Sequence, residues 1–457
     1  MNKQRLLLVS RVAPIALVAF AANATSFCST EAQTPQAAST GSLLINNARI
    51  FDGVSDNLRK GNLLILGNKI KQISVAAITP PAGAQVIDAG GRVLMPGLSD
   101  AHWHMTMAAN TMADLQQADT GLMYANTIAE AQRTLLRGFT TVRDVAGPTF
   151  GIKAAIDSGV ILGPRVYPSG ALISQTAGHG DMSPVYARPF TIGGHPSHFE
   201  DIGEFIVANG VPEVLGAVRD NLKKGASQIK IAVGGGVISD SDPIDTLQFT
   251  VEEIKAAVQA ANDWGTYVAA HVYTVSGIRR ALEAGVKSIE HGHMADEATV
   301  KLIAEKGAWL SLQPFQAGDN PLTPEQIKKA EPTSHWDRVA GWAKANGVKV
   351  AFGTDLLFQP DGTWKQNELL TRFAKVFGNV ETLKIATSGN ATLFAMSGSR
   401  NPYKEAKLGV LEEGAWADML LVDGDPTQDI NLIADPEHKF ILIIKDGRIY
   451  KNKLSKP

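Results

Sequence analysis

The sequence predicts an α/β protein in which a (β/α)8 TIM-type barrel carries a small composite β-sandwich domain. Eight apolar, strand-like runs separated by helical stretches follow one another between about Leu98 and Asp355, and eight is the strand count of such a barrel. Short segments that alternate apolar and polar residues precede the barrel and return after about Asn401. The 457 residues, 44% of them hydrophobic, suffice for one large barrel and a smaller companion domain.

These patterns divide the chain into four predicted parts. Residues 1–24 are a signal peptide, 25–42 a flexible linker, 43–97 with 403–457 the β-sandwich domain, and 98–402 the barrel. In the first part of the β domain, "NARIFDG", "NLLILGNKIKQIS" and "AQVIDAGGRVLMPG" alternate apolar and polar residues between Gly and Asn turns, which predicts antiparallel strands of a small sheet. In the barrel, the stretch "TVEEIKAAVQAANDWG" has apolar residues three and four apart and a Gly at its end, which predicts a helix.

The N-terminus has the pattern of an export signal. Lys3 and Arg5 give it a basic start, and the apolar stretch Val12–Ala22 is too short to span a bilayer. An Ala-Asn-Ala sequence ending at residue 24 places small residues where a signal peptidase cuts. We therefore expect a periplasmic or secreted protein without stable membrane insertion. Cys28 is the single cysteine, so no internal disulfide can form.

The charge of the chain is balanced. It has 43 Lys and Arg residues against 45 Asp and Glu residues, which gives a formal net charge of −2. Such a balance gives no reason to expect nucleic acid or an anionic membrane as a partner. A small-molecule substrate and self-association into a homo-oligomer are the expected interactions.

Two histidines end the first strand-like run of the barrel. His102 and His104 lie two apart in "DAHWHM", and residues i and i+2 of a strand point to the same face. Both imidazoles can therefore reach one metal ion. An H-x-H pair alone is weak evidence, because two polar residues on a half-exposed strand would look the same.

Four further residues of metal-binding type lie at or near the ends of later strand-like runs: Lys230, His271, His291 and Asp355. The carboxyl ends of all strands of a barrel meet at one mouth, where active sites lie. These residues are therefore expected to meet His102 and His104 there. A lysine within the apolar run "IKIAV" is costly unless it has a function, although its ammonium group could also reach solvent.

The sequence resembles the amidohydrolase superfamily, and within it the branch of prolidase-like metallocarboxypeptidases and ochratoxin-degrading amidases. The resemblance covers nearly everything from Leu43 onward and rests on nine segments: "MPGLSDAHWH", "GFTTVRDVAG", "GPRVYPSGALIS", "AGHGD", "IKIAVGGGV", "VAAHVYT", "SIEHGH", "AFGTD" and "WADMLLVDGDP".

The resemblance implies a role for each of the six residues. His102 and His104 would bind the more buried of two divalent metal ions, most simply zinc, although manganese, iron and cobalt fit the same ligands. Lys230 would be carboxylated on its amine and bridge the ions. His271 and His291 would bind the second ion. Asp355 would bind the first ion and act as general acid and base.

The resemblance also predicts the reaction, which is hydrolysis of an amide or peptide bond that releases a C-terminal apolar or aromatic amino acid. Dipeptides, N-acyl amino acids and ochratoxin-like amides are the expected substrates.

His179 in "AGHGD" is predicted to polarise the scissile carbonyl or bind substrate, with a structural role as the alternative. Tyr273, two residues after His271, could hold a substrate carboxylate or serve packing. Arg143 is expected to pair with a neighbouring acid, with contact to an anion as the alternative.

The segment from Gly178 to about Val211 is predicted to form a lid over the barrel mouth, because it is long and lacks periodicity. Its aromatic and histidine residues are expected to shape the pocket: Phe190, His195, His198, Phe199 and Phe205. The glycine run 234–236 lacks the Lys-Ser/Thr of a phosphate-binding loop, which leaves a flexible loop beside Lys230.

Two other readings of the sequence remain open. A deaminase or a cyclic-amide hydrolase could use the same barrel, but the segment "VYTVSG" after His271 lacks the acid expected of a deaminase. A catalytically inactive binding protein could also keep the barrel, but such a protein would be expected to lose metal ligands.

Overall fold

A computed structural model of the protein describes residues 41–239, 241–316 and 318–454. The predicted signal peptide, Cys28 and the predicted linker as far as residue 40 lie outside these residues. None of the helices in the described ranges is both long enough and apolar enough to cross a bilayer.

The strands fall into three groups along the chain. Five precede the barrel: β1 (Ser42–Ile50), β2 (Arg59–Leu66), β3 (Lys69–Ser74), β4 (Gln85–Asp88) and β5 (Val93–Pro96). Ten belong to the barrel and its rim: β6 (Leu98–Trp103), β7 (Phe139–Asp144), β8 (Arg165–Pro168), β9 (Leu172–Ser174), β10 (Phe205–Val207), β11 (Ile229–Ala232), β12 (Val268–Thr274), β13 (Ser288–Met294), β14 (Trp309–Leu312) and β15 (Lys349–Phe352). Three follow it: β16 (Met419–Val422), β17 (Phe440–Lys445) and β18 (Arg448–Asn452).

Helices lie between the barrel strands and after them. Those as far as β13 are α1 (Met105–Ala109), α2 (Met112–Gln117), α3 (Thr120–Leu136), α4 (Phe150–Asp157), α5 (His198–Asp201), α6 (Gly210–Lys224), α7 (Val251–Asp263) and α8 (Val275–Ala284). The later ones are α9 (Glu297–Glu305), α10 (Pro324–Ala330), α11 (Trp336–Ala345), α12 (Lys365–Arg372), α13 (Ala374–Phe377), α14 (Asn379–Lys384), α15 (Asn390–Ala395) and α16 (Pro436–Lys439).

Helix α7 shows why the predicted helical stretches fold as they do. At its start, Glu253 accepts a hydrogen bond from the Thr250 backbone N–H at 2.7 Å, and the Thr250 hydroxyl accepts one from the Glu253 N–H at 3.3 Å. This capping box satisfies two backbone donors that a helix leaves free. The buried residues Ile254, Ala257 and Ala261 are three and four apart, so one face of the helix packs against the barrel.

Both ends of the chain contribute to one eight-stranded sheet. Its order is β18-β17-β16-β5-β1-β2-β3, and β4 also pairs with β1. The central contact is antiparallel, between β5 and β16, so the two ends are joined along the middle of the sheet. The prediction of a β domain built from both termini is confirmed. The sheet is mixed rather than purely antiparallel, because the chain crosses over after β3 and runs β4 and β5 parallel to β1.

The eight predicted barrel runs all form strands, and every pairing between them is parallel. The third run is divided: β8 pairs with β7, and β9 pairs with β10 and β11. Gly170 lies at this break with a φ of +73°, a conformation that favours glycine. The ring closes where the Asp355 N–H donates to the His102 carbonyl at 2.8 Å. The predicted TIM-type fold is confirmed.

Candidate metal and substrate site

One cavity of about 750 Å³ opens at the carboxyl ends of the barrel strands. The side chains that line it include every candidate from the sequence: His102, His104, His179, Lys230, His271, Tyr273, His291 and Asp355. Residues up to 253 positions apart in sequence are therefore brought to one place by the parallel barrel, as the strand positions predicted.

Asp355 lies among three of the histidines. Its Oδ1 is 3.1 Å from Nε2 of His104 and 3.6 Å from Nε2 of His102, and its Oδ2 is 3.9 Å from Nδ1 of His291. His102, His291 and Asp355 each offer one ligand atom, and these three atoms lie within 4.8 Å of one another. Such a cluster of buried nitrogen and oxygen donors can hold one metal ion.

Lys230 reaches the same cluster from β11. Its Nζ is 3.3 Å from Nε2 of His102, and the side chain is almost fully buried. Burial lowers the pKa of this ammonium to about 8, although Glu290 and Asp355 oppose the shift. A larger fraction of the amine is therefore neutral near pH 7 than for an ordinary lysine, and the neutral amine is the form that can be carboxylated.

His271 and His291 form the other side of the cluster. Their rings lie 4.5 Å apart in an edge-to-face arrangement, and Nε2 of His271 is 3.2 Å from the Gly235 carbonyl oxygen. Tyr273 stacks on His291 with ring centroids 4.8 Å apart. The tyrosine is buried, its ring borders the cavity, and none of the described residues forms a hydrogen bond with its hydroxyl.

The protonation of the cluster suits a metal ion. Burial lowers the pKa of His102, His104, His271 and His291, and the nearby Lys230 lowers it further in each case. Neutral imidazole is the form that binds a metal. Within the described ranges, Nδ1 of His104 is buried without a partner. Three to four neutral imidazoles with one carboxylate form a donor set that zinc accepts.

A buried ion pair, which the sequence did not single out as a unit, supports His102 from behind. Glu290 accepts two hydrogen bonds from Arg143, both at 2.8 Å, and its Oε2 lies 2.8 Å from Nδ1 of His102. The expectation that Arg143 pairs with an acid is confirmed. A carboxylate on the far nitrogen of a metal-binding histidine fixes the tautomer and orients the ring. Gln313 contributes similarly, with its Oε1 2.8 Å from Nδ1 of His291.

Two residues of the cluster have unusual backbone conformations. His291 has a φ of +74° and Asp355 a φ of +50°, in the left-handed region that residues with a Cβ rarely adopt. Such conformations cost about 1–3 kcal/mol each and concentrate at functional sites. They also change which way a side chain leaves its strand.

His179 is held in a narrow slot at the edge of the cluster. One face of its ring stacks on His271 at a centroid distance of 3.9 Å. On another side, a Cβ at Gly236 would lie 1.9 Å from Nδ1 of His179. The glycine at position 236 therefore allows the His179 ring to pack directly against the backbone. The prediction of a flexible loop at residues 234–236 did not include this packing role.

The cavity has an apolar wall and a second wall made by a segment that the sequence did not single out. Met107, Leu172, Phe205 and Leu357 contribute apolar surface. Much of the remaining lining comes from described residues 318–334, which include α10. Of the five residues expected to shape the pocket, only Phe205 lines it: Phe199 is buried nearby, Phe190 is 64% exposed, and His195 and His198 are not part of the lining.

The chain resembles known proteins along nearly its whole described length. The model of the amidohydrolase family matches residues 93–450. Over 426 residues the chain is 32% identical to the ochratoxinase of Aspergillus niger, an alignment that covers 88% of this chain and 85% of that protein.

Solved structures agree with this assignment. A prolidase in complex with N-methylphosphonate-L-proline superimposes with a TM-score of 0.82 at 32% identity, covering 90% of this chain and 100% of that chain. A Xaa-Pro dipeptidase with methionine bound in its active site gives 0.77 at 31% identity, with coverages of 90% and 100%. With the buried cluster of His102, His291 and Asp355, these matches establish that the chain belongs to the amidohydrolase family, as a metal-dependent hydrolase that acts on C–N bonds.

Proposed function

We propose that this hydrolase cleaves the amide bond of dipeptides, N-acyl amino acids or ochratoxin-like amides and releases a C-terminal amino acid with an apolar or aromatic side chain. The observation that carries the proposal is the convergence of all eight candidate side chains on one cavity with an apolar wall. Its relatives include an ochratoxinase, a prolidase and a Xaa-Pro dipeptidase, so amides of amino acids are the favoured class.

The proposed cofactor is a pair of divalent ions, zinc in the first instance, with His102, His104 and Asp355 on one ion and His271 and His291 on the other. Carboxylated Lys230 would bridge them; its buried, partly neutral amine supports this modification. When bound, such ions lower the pKa of a water molecule and polarise a carbonyl group. Elemental analysis should find two metal ions per chain, and one or none would exclude the pair.

Asp355 is proposed to move the proton that amide cleavage requires. Its Oδ1 faces His102 and His104, and its Oδ2, 3.9 Å from Nδ1 of His291, is the oxygen proposed to take a proton from water and pass it to the leaving nitrogen. His179 is proposed to contact the scissile carbonyl, because its ring borders the cavity beside His271. The Tyr273 hydroxyl, with no protein partner among the described residues, is proposed to receive the substrate carboxylate.

A substrate screen tests the proposal directly. Zinc-loaded and chelator-treated enzyme are incubated with a panel of dipeptides and N-acyl amino acids, and released amino acids are quantified. We expect metal-dependent release of apolar and aromatic residues. Turnover of nucleobase amines or cyclic amides, with none of the acyl amino acids cleaved, would replace the proposal with one of its rivals.

We also propose that the protein is exported and that copies of it associate. The basic, then apolar N-terminal residues and the small residues up to position 24 support export. With one cysteine, an exported chain cannot gain stability from an internal disulfide, which favours subunit contacts. N-terminal sequencing of native protein should give a start near residue 25, and light scattering should give a mass above that of one chain.

A further inference from the structure

Two segments that line the cavity meet each other close to His179. The first, here called the Asp242 loop, comprises described residues 233–239 and 241–248 between β11 and α7. The second is α10 with its flanking residues, which also line the cavity. Neither segment contributes any of the six candidate metal-binding residues.

Asp242 and Ser239 form a directed hydrogen-bond chain to His179. Nδ1 of His179 is 2.9 Å from Oγ of Ser239 and 3.4 Å from Oδ2 of Asp242. The Ser239 hydroxyl also bonds to Oδ1 of Asp242. An ionised carboxylate only accepts, so the hydroxyl proton goes to Asp242, and Oγ of Ser239 must accept from Nδ1–H of His179. The chain therefore fixes the proton on Nδ1 and leaves Nε2 without a partner among the described residues.

Asp242 is built into its position. Its side chain is fully buried, and its Oδ2 accepts a hydrogen bond from the Gly236 N–H at 2.7 Å. Gly236 is the residue against which the His179 ring packs. One carboxylate thus holds both the ring nitrogen and the backbone on which the ring rests. Burying a carboxylate is costly unless hydrogen bonds compensate for the lost water, and the bonds from Ser239 and Gly236 do so here.

Helix α10 is fastened to the same loop. Nζ of Lys329 donates to the carbonyl oxygens of Ser239 and Asp242 at 2.6 and 3.0 Å, and Nε2 of Gln326 donates to that of Ile238 at 2.7 Å. The two bonds from Lys329 end on the backbone of Ser239 and Asp242, the two residues that orient His179. On the same helix, the half-exposed Ile327 lines the cavity. A helix that lines the cavity is therefore also bonded to the residues that orient His179.

We infer that Asp242 is a positioning residue for His179, acting through Ser239, and that Lys329 makes this positioning depend on the placement of α10 at the cavity. The inference rests on the proposed role of His179 at the substrate carbonyl. Binding of substrate beneath α10 and orientation of His179 would then occur together, because both depend on the same set of hydrogen bonds.

The test of Asp242 uses Asp242→Asn and Ser239→Ala, with Asp245→Asn as matched control. Asparagine offers one acceptor oxygen where Ser239 and Gly236 need two, whereas Asp245 is an exposed residue of the same loop. We expect kcat to fall about ten- to a hundredfold in the two test variants, the equivalent of one charged hydrogen bond. The metal content of all three variants should match that of the parent. The kcat of Asp245→Asn should also match that of the parent.

A proton NMR signal provides a readout independent of catalysis. The parent, labelled with 15N-histidine, should show an exchange-protected Nδ1–H signal that disappears in His179→Gln. The signal should be lost in Asp242→Asn and Ser239→Ala and kept in Asp245→Asn. Its survival in both test variants, or an unchanged kcat despite its loss, would overturn the inference. If the parent cleaves no amide but the signal behaves as expected, the proposed function fails and the positioning stands.

The α10 connection has its own test. In Lys329→Met, we expect faster deuterium uptake in residues 318–334 and in the Asp242 loop together, with a raised KM. Lys329→Arg keeps the donors and should restore slow uptake. Faster uptake in residues 318–334 alone, with the Asp242 loop unchanged, would refute the connection between the helix and His179.

Discussion

Replacing Glu290 by glutamine should separate folding stability from metal binding at this site. Glu290 and Arg143 are both fully buried and joined by two hydrogen bonds of 2.8 Å, so Glu290→Gln leaves the guanidinium uncompensated. Removing one partner of such a pair costs about 3–5 kcal/mol in the free energy of unfolding. Removing the second charge as well, in Arg143→Met with Glu290→Gln, should recover most of that loss.

Metal affinity should respond differently, because Glu290 also holds Nδ1 of His102 at 2.8 Å. Loss of an outer partner of a metal-binding histidine lowers metal affinity by about 10–100-fold, or roughly 1.4–2.8 kcal/mol. The double variant restores charge balance but not this hydrogen bond, so its affinity should remain low. Stability is measured by urea unfolding of metal-free protein, and affinity by competition with a chromogenic chelator.

Asp418→Asn is the matched control for the Glu290 variants. Asp418 forms another buried pair, with Arg165 at 2.8 Å, and neither residue lines the cavity. This variant should lose stability and keep parental metal affinity. Equal metal affinity in the parent and Glu290→Gln, or a double variant no more stable than the single one, would refute the reasoning.

Three further outcomes follow from the structure. Lys230→Ala should lose bound metal and turnover, with partial rescue by short carboxylic acids; metal analysis and rate measurements with and without acetate check this. Blocking the carboxylate of N-acyl phenylalanine as an amide should reduce kcat/KM about a hundredfold, since a charged hydrogen bond contributes about 2–3 kcal/mol, and equal rates would leave a general amidase. Burial raises the pKa of Glu204 from 4.5 to about 7, although the Thr106 hydroxyl opposes the shift. Because the folded state holds this proton longer than the unfolded chain, unfolding should become easier as pH rises from about 4.5 to 7, by ~3 kcal/mol. In urea unfolding at pH 5 and pH 8, Glu204→Gln should remove that part of the pH dependence.

The barrel and the cluster residues were predictable because their signals are local. A lysine within "IKIAV" and histidines at strand ends stand out from apolar surroundings, and a parallel barrel can gather strand ends at one mouth only. Strand pairing in the β domain was less accessible, because the parallel contacts of β1 with β4 and β5 depend on a crossover that alternation does not reveal. The divided third strand depends on one glycine conformation at residue 170.

The supporting residues could not be found in this way. Glu290 directly precedes His291, and strict alternation would place the two on opposite faces; the positive φ of His291 changes that relation. Arg143, the ion-pair partner of Glu290, lies 147 positions away from Glu290 in the sequence. The contribution of residues 318–334 to the cavity lining was missed for a similar reason. Lys329 donates to carbonyl oxygens 87 and 90 positions earlier, and backbone acceptors leave no mark in a sequence.

The left-handed backbone at His291 and Asp355 sets a limit on how this protein can be made more robust. Glycine adopts such conformations freely, so His291→Gly or Asp355→Gly would relieve local strain of about 1–3 kcal/mol in the metal-free chain. Any selection or design procedure that rewards thermal tolerance of the metal-free protein would therefore be drawn to these two positions and would discard proposed metal ligands. Screens for heat-resistant variants should be run with metal present and scored on turnover.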